Sequence, residues 1–147
     1  WADYHLFEFE DKEFQSSIRI AIPSEYDFDF DIETQDASTI KLSSIFSDNV
    51  RKFFYVYDFG DHWVHEITLE SVSYQKRKGG CLSGKGTCPP EDCGGVSGYE
   101  DMKTVFRTIP DSEEADGYRD WLGLDKDEIW DAGDFNIDEV NDNLKLV

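Results

Sequence analysis

Between Gly79 and Gly98 the chain concentrates seven of its eleven glycines, two of its four prolines and all three of its cysteines. Backbone of that composition sustains neither a regular helix nor a central strand, because glycine adds conformational freedom and proline removes a hydrogen-bond donor. The stretch reads as a long structured loop, and loops of that length inside a domain are either functional or disordered. It divides the sequence in two: apolar residues recur with period two before it and at about 3.6 after it. Strands followed by helices predict an α+β fold, a mainly antiparallel sheet with helices concentrated in the C-terminal half. No internal repeat or low-complexity linker interrupts the 147 residues, a length that suits one domain spanning 1–147.

Tyr4, Leu6, Phe7 and Phe9 suggest a strand up to Glu10, and Ile18, Ile20 and Ile22 a second that stops at Pro23. The acidic stretch from Glu25 to Asp36 reads as loop, and Ser38 to Phe46 as holding a short helix. The clearest pair of strands runs from Phe53 to Phe59 and from Trp63 to Val72, joined by a tight Gly60-Asp61-His62 turn with glycine at positive φ. Trp63, His65, Ile67 and Leu69 then share one face, which sets His65 on the apolar side. Downstream, Ser97 to Glu100 reads as a capping box for a helix with Tyr99, Met102, Phe106 and Ile109 on one face until Pro110. Ser112 caps a second helix whose Tyr118, Trp121 and Leu122 face inward before Gly123. A third starts near Asn136 with Ile137, Val140 and Leu144 as its apolar stripe.

Aromatic residues make up 15% of the chain, so its core is built on rings more than on aliphatic side chains. The formal charge of −19 disfavours direct nucleic-acid binding, whose affinity comes mainly from Lys and Arg displacing counterions around phosphates. The densest cations, Lys76, Arg77 and Lys78, read as an exposed loop, with a phosphate site as the lesser reading. No long apolar span and no secretory leader is visible, which predicts a cytoplasmic protein without membrane contact. An odd number of cysteines in a chain with an ample core argues for reduced thiols or a metal rather than a disulfide scaffold. The first residue is Trp1 rather than Met, which raises the expectation of a fragment.

Three constellations carry chemistry in principle. Zinc prefers thiolate and imidazole, which makes Cys81, Cys88, Cys93, His5, His62 and His65 candidates, with Cys88, Cys93 and His65 foremost. The cysteine spacings are wider than in paired zinc ligands, and thiols that only pack are the competing reading. Asp58, Asp61, Glu91 and Asp92 form a carboxylate set suited to magnesium, or alternatively a set of turn-fixing acceptors of backbone hydrogen bonds. His65 is a candidate general base with Asp58 and Asp61 beside it, against the reading of a hydrogen-bonded strand histidine. No nucleophile elbow, phosphate-binding loop or His-Glu-x-x-His pattern is present.

Three stretches together resemble the Ri-plasmid open-reading-frame-three-like family: Tyr55 to Ile67 (YVYDFGDHWVHEI), Cys88 to Tyr99 (CPPEDCGGVSGY), and the tail from Tyr118-Arg-Asp-Trp-Leu-Gly to Asn141. The opening Trp1 to Leu6 fits as well. Members of that family are met on plasmids, as passengers of mobile elements and as isolated reading frames. The resemblance implies an α+β fold in which a strand and a helix precede the Trp-x-x-Tyr-His-Leu segment, and those two elements are missing here. Many members have a second histidine where Phe7 stands. A resolvase-like label attached to some members is not carried over, because serine recombinases need arginines around a nucleophilic serine and a basic DNA-binding part.

The functional expectation is a non-enzymatic module that binds an unknown protein partner through Asp58, Asp61, Trp63, His65, Glu91, Asp92 and Tyr99. Two further expectations are a metal-assisted hydrolase or nuclease and an acidic mimic of DNA.

Overall fold

An unbroken aromatic and β-branched run from Phe53 to Tyr57, followed after a turn by a segment in which Trp63, His65 and Ile67 share one face, suits a two-stranded ribbon, and they form one: β-strands Lys52–Tyr57 and Trp63–Thr68 pair antiparallel, with Tyr57 opposite Trp63, Tyr55 opposite His65 and Phe53 opposite Ile67. The computed structural model describes residues 1, 4–12, 16–23, 34–72 and 79–145. They fall into two compact units, Ala2–Val72 and Ser73–Val147 with Trp1.

In chain order the first unit holds β1 (Phe7–Glu10), β2 (Arg19–Ala21), β3 (Thr34–Asp36), α1 (Leu42–Ile45), β4 (Lys52–Tyr57) and β5 (Trp63–Thr68). The five strands form one sheet in the order β3-β2-β1-β4-β5. Residues directly opposite one another share a face, so the register gathers Phe7, Phe9, Ile20, Phe53, Tyr55, Tyr57, Trp63, His65 and Ile67 on one side. Ile20, Phe53, Tyr57 and Trp63 are buried there. Ring centroids lie 4.9 Å apart for Phe9 and Tyr55 and 5.8 Å for Phe7 and Tyr55, and each such pair contributes about 0.5–1.5 kcal/mol beyond its burial. Ion pairs occupy the opposite face, Arg19 with Glu8 at 2.6 Å and Lys52 with Glu66 at 2.8 Å, around buried Ala21 and Val56.

The α+β class holds, but two finer expectations are corrected. The sheet is mixed: β2 and β3 run parallel, with Ile20 beside Gln35. A parallel pair needs a connection of about a dozen residues or more, and residues 22–33 provide that length. Thr34–Asp36, read from sequence as the end of an acidic loop, is therefore a strand, while 24–33 lie outside the described residues. Helices are not confined to the C-terminal half either, since α1 sits between β3 and β4 and the following Phe46 packs on Phe53 with centroids 6.4 Å apart.

Among the described residues the second unit contains the irregular stretch 79–94 and three helices, α2 (Gly95–Thr108), α3 (Glu113–Leu122) and α4 (Ile137–Asn143). Two of the three caps are those the sequence predicts. Ser112 Oγ accepts from Ala115 N at 3.1 Å, and Gly123 ends α3 at φ 71°. Asn136 Oδ1 accepts from Asp138 N at 3.1 Å and Glu139 N at 3.2 Å. The third differs: α2 starts two residues before Ser97, with Gly94 at φ 86° as its cap, because two adjacent glycines let the chain turn in ahead of any capping side chain. Met102 and Val105 of α2 and Ala115 and Arg119 of α3 are buried. Phe106 lies 6.1 Å from the Tyr118 ring and 5.4 Å from that of Trp130, with the Arg119 guanidinium 5.4 Å above it. Arg119 Nε donates to Glu128 O at 3.1 Å and Nη1 to Asp116 Oδ1 at 3.0 Å, which satisfies a charge taken out of water. Among the described residues no helix is long and apolar enough to cross a membrane.

Candidate functional site

In the first unit the candidate residues gather at the β4–β5 turn. The left-handed positions are Asp58 and His62, each at φ 55°, and not Gly60. Asp58 tolerates that conformation because its own carboxylate replaces a backbone partner: Oδ1 accepts from Gly60 N at 2.9 Å. Its amide donates to Leu6 O at 2.9 Å and its carbonyl accepts from His62 N at 2.6 Å, which ties the turn to the segment preceding β1. Asp58 is 6% exposed, and its Oδ2 lies 3.7 Å from His5 Nε2. The His5 ring meets Tyr57 edge-on at 5.9 Å. Sequence reasoning named His5 only as a metal ligand and did not couple it to Asp58, whose distance from it in the chain hides the pairing.

His65 lies on the apolar face as expected, one rung of that face beyond the Tyr57–Trp63 pair. Its Nδ1 is 3.2 Å from Tyr55 O, and its ring centroid 5.5 Å from that of Tyr55, an arrangement that fixes the imidazole on the sheet. Trp63 is 9% exposed, so its indole packs rather than presents a surface, and Asp61 stands half-buried in the turn.

In the second unit the 79–94 stretch is held by ties to residues far along the chain. Asn141 Oδ1 accepts from Cys81 N at 2.8 Å and its Nδ2 donates to Cys81 O at 3.0 Å. Thr87 N donates to Ala132 O at 3.0 Å and Thr87 Oγ1 to Asp131 O at 2.7 Å, while Tyr99 Oη donates to Thr87 O at 2.9 Å. Trp1 Nε1 donates to Pro89 O at 2.7 Å. Burial pushes the Tyr99 phenol up, against the pull of Lys103, whose ammonium lies 4.7 Å from the ring centroid. Cys88 is exposed and Cys81 and Cys93 are half-buried, and none of the three forms a disulfide. Among the described residues of this unit, no cysteine meets two further side chains that could share an ion with it. Glu91 and Asp92 lie in the turn before α2, Asp92 at φ 56°, and the Lys76 to Lys78 run lies outside the described residues.

This unit also has a concave site of about 330 Å³, lined by Asp92, Cys93, Glu114, Gly117, Tyr118 and Trp121. Asp92 is the single member that sequence reasoning singled out as a binding residue. Trp121 was expected to face inward and is instead 47% exposed. The signal was available: Glu114, Gly117, Tyr118 and Trp121 follow the i, i+3, i+4, i+7 spacing of one helix face, a polar and an aromatic residue together with a glycine that no core needs.

The chain is 29% identical over 143 residues to the uncharacterized protein y4hQ of Sinorhizobium fredii, an alignment covering 96% of this chain and 69% of that protein. Its fold is similar to the crystal structure of MM3350, a protein of unknown function from Methanosarcina mazei Go1, with a TM-score of 0.73 at 30% identity over 95% of this chain and 75% of that one. The model of the plasmid pRiA4b ORF-3-like proteins matches residues 1–139, which bears out the resemblance carried by the hairpin, the cysteine loop and the tail: the chain belongs to that family.

Proposed function

We propose that this chain is a protein-interaction module rather than a catalyst, and that its second unit carries the docking site on α3. The observation that carries this reading is Trp121, a large indole 47% exposed at the edge of a 330 Å³ hollow instead of packed in the core. Tryptophan is enriched among residues that dominate binding energy, and concave apolar surface with a few polar groups is where partners seat. The wall opposite α3 is the end of the 79–94 stretch, whose tethers to Asn141, Asp131 and Ala132 keep it ordered enough to present a fixed shape. Preorganisation of that kind lowers the cost of association.

Of the residues expected from sequence to form a binding surface, Asp92 lines this hollow, and Tyr99 ties the stretch through its bond to Thr87 O. The test is photo-crosslinking in the source cell with benzoylphenylalanine in place of Trp121, against the same residue in place of Leu82, which is 93% exposed in the same unit. A discrete adduct formed at 121 and absent at 82 is expected. Identical patterns at the two positions, or no adduct at 121, would sink the reading.

A further inference from the structure

We infer that the hollow on α3 receives the cationic head of an arginine or lysine side chain presented by a protein partner, an inference that rests on the interaction reading above and specifies its chemistry. Four observations lead to it. Glu114, Gly117, Tyr118 and Trp121 form one face of α3, a carboxylate at one end and two aromatic rings at the other. The turn before α2 adds the Asp92 carboxylate to the rim, and among the described residues no basic side chain lines the hollow. A cation between aromatic rings and carboxylates gains both from the ring quadrupole and from the charge. The whole chain carries a formal charge of −19, which draws basic partners toward it.

The fourth observation is Gly117. Glycine is among the least favoured residues in a helix interior, and three reasons for keeping one there are absent. Gly117 is not among the positive-φ glycines, it lies well inside α3, and a Cβ added to it would meet nothing within 4 Å. What the missing side chain leaves is open space on the face that carries Glu114, Tyr118 and Trp121. A helix that forgoes stability to keep a hollow between a carboxylate and two rings is shaped for a ligand.

The experiment follows the indole N–H resonance of Trp121 in a proton–nitrogen correlation spectrum of the full chain, assigned with Trp121→Phe. Short glycine peptides with a central arginine, lysine, citrulline, norleucine or glutamate are titrated at low and high salt. Arginine and lysine peptides are expected to shift the resonance with a dissociation constant on the order of millimolar, and citrulline to bind about tenfold more weakly. Glu114→Gln should weaken arginine binding severalfold and flatten its salt dependence. Gly117→Ala should raise the denaturation midpoint while weakening arginine binding, and Gly117→Leu should abolish it, so loss of binding is separated from loss of fold.

Equal binding of norleucine and arginine, or Gly117→Leu binding as tightly as the parent chain, would overturn the cationic assignment. A silent titration alongside a specific crosslink at 121 would overturn it too, yet leave the interaction reading standing. Arginine binding without any crosslink would do the opposite.

Discussion

The turn at 58–62 and the stretch at 79–94 are both irregular backbone, and they are held in opposite ways. The turn is flanked by paired strands, the Asp58 side chain ties it to an amide two residues away, and a distant backbone bond, Asp58 N to Leu6 O, supplements them. Among the described residues, no strand flanks the 79–94 stretch. Its fixed points are Asn141 to Cys81, sixty residues apart in the chain, and Thr87 to Asp131, forty-four apart. A local turn fails gracefully, because the strands on either side retain their register. A loop assembled from distant ties should be sensitive wherever one tie or one close approach is altered, and that contrast can be broken by experiment.

The largest effect is expected at Gly98. A Cβ there would stand 1.8 Å from Cys93 O, a backbone atom that cannot rotate away, so Gly98→Ala must displace either the start of α2 or the residue before its cap. We expect a loss of about 3 kcal/mol or more in denaturant-induced unfolding. Gly84 makes the sharper control: its added Cβ would lie 2.2 Å from the Phe135 ring, a side chain that can turn, so Gly84→Ala should cost distinctly less. Equal costs would mean that the 79–94 stretch yields as a whole.

Asp58→Ala comes next. The substitution strips the acceptor from Gly60 N and puts a residue that resists positive φ where Asp58 has φ 55°. About 1–3 kcal/mol should be lost. Asp58→Asn keeps both the acceptor and the tolerance of that conformation, and should recover most of the loss in the same unfolding measurement. Failure of Asn to recover it would assign the role of Asp58 to its charge, beside His5, instead of to the turn.

These two sites also mark how far the sequence was legible. The apolar run from 53, the turn after it and the period-two faces from 63 to 69 marked the hairpin and the face of His65 because a strand's period is local, and Ser112, Gly123 and Asn136 marked their helix ends because capping is local too. The parallel pairing of β2 and β3 left no local trace, since Thr34–Asp36 is a short polar segment whose partner is set by tertiary context. The ties of Thr87 and Asn141 were invisible for the same reason. Trp121 was misread because its aromatic character was taken as core, although Glu114 and Gly117 on the same face pointed outward.

Thr87→Val tests the hydroxyl ties alone. The isostere removes the hydroxyl that donates to Asp131 O at 2.7 Å and reaches Asp134 O at 3.1 Å, and leaves the Thr87 amide and carbonyl bonds in place. About 1 kcal/mol should be lost, read from the denaturation midpoint at unchanged slope. A much larger loss would show the ties acting cooperatively rather than singly.

The smallest effect belongs to a second locally bonded carboxylate, and it is seen as a pH dependence. Burial pushes the Asp11 carboxyl up, but hydrogen bonds outweigh it and hold it at about 2: Ser16 Oγ donates to Oδ1 at 2.5 Å, Ser17 N to Oδ1 at 2.9 Å and Ser17 Oγ to Oδ2 at 2.8 Å. A carboxylate whose pKa is depressed on folding stabilises fully above its unfolded value of about 3.9 and loses that contribution as pH falls through the folded value. The midpoint of denaturation should therefore fall between about pH 4 and pH 2, and Asp11→Asn should flatten part of that fall while lowering stability slightly at neutral pH. Asp11 is half-exposed, so solvent screening keeps the effect small. If the variant and the parent chain fall in parallel, the serine bonds to Asp11 persist in the unfolded chain, as bonds spanning five or six residues can. The advantage of local over distant ties would then lie in what the unfolded chain already holds.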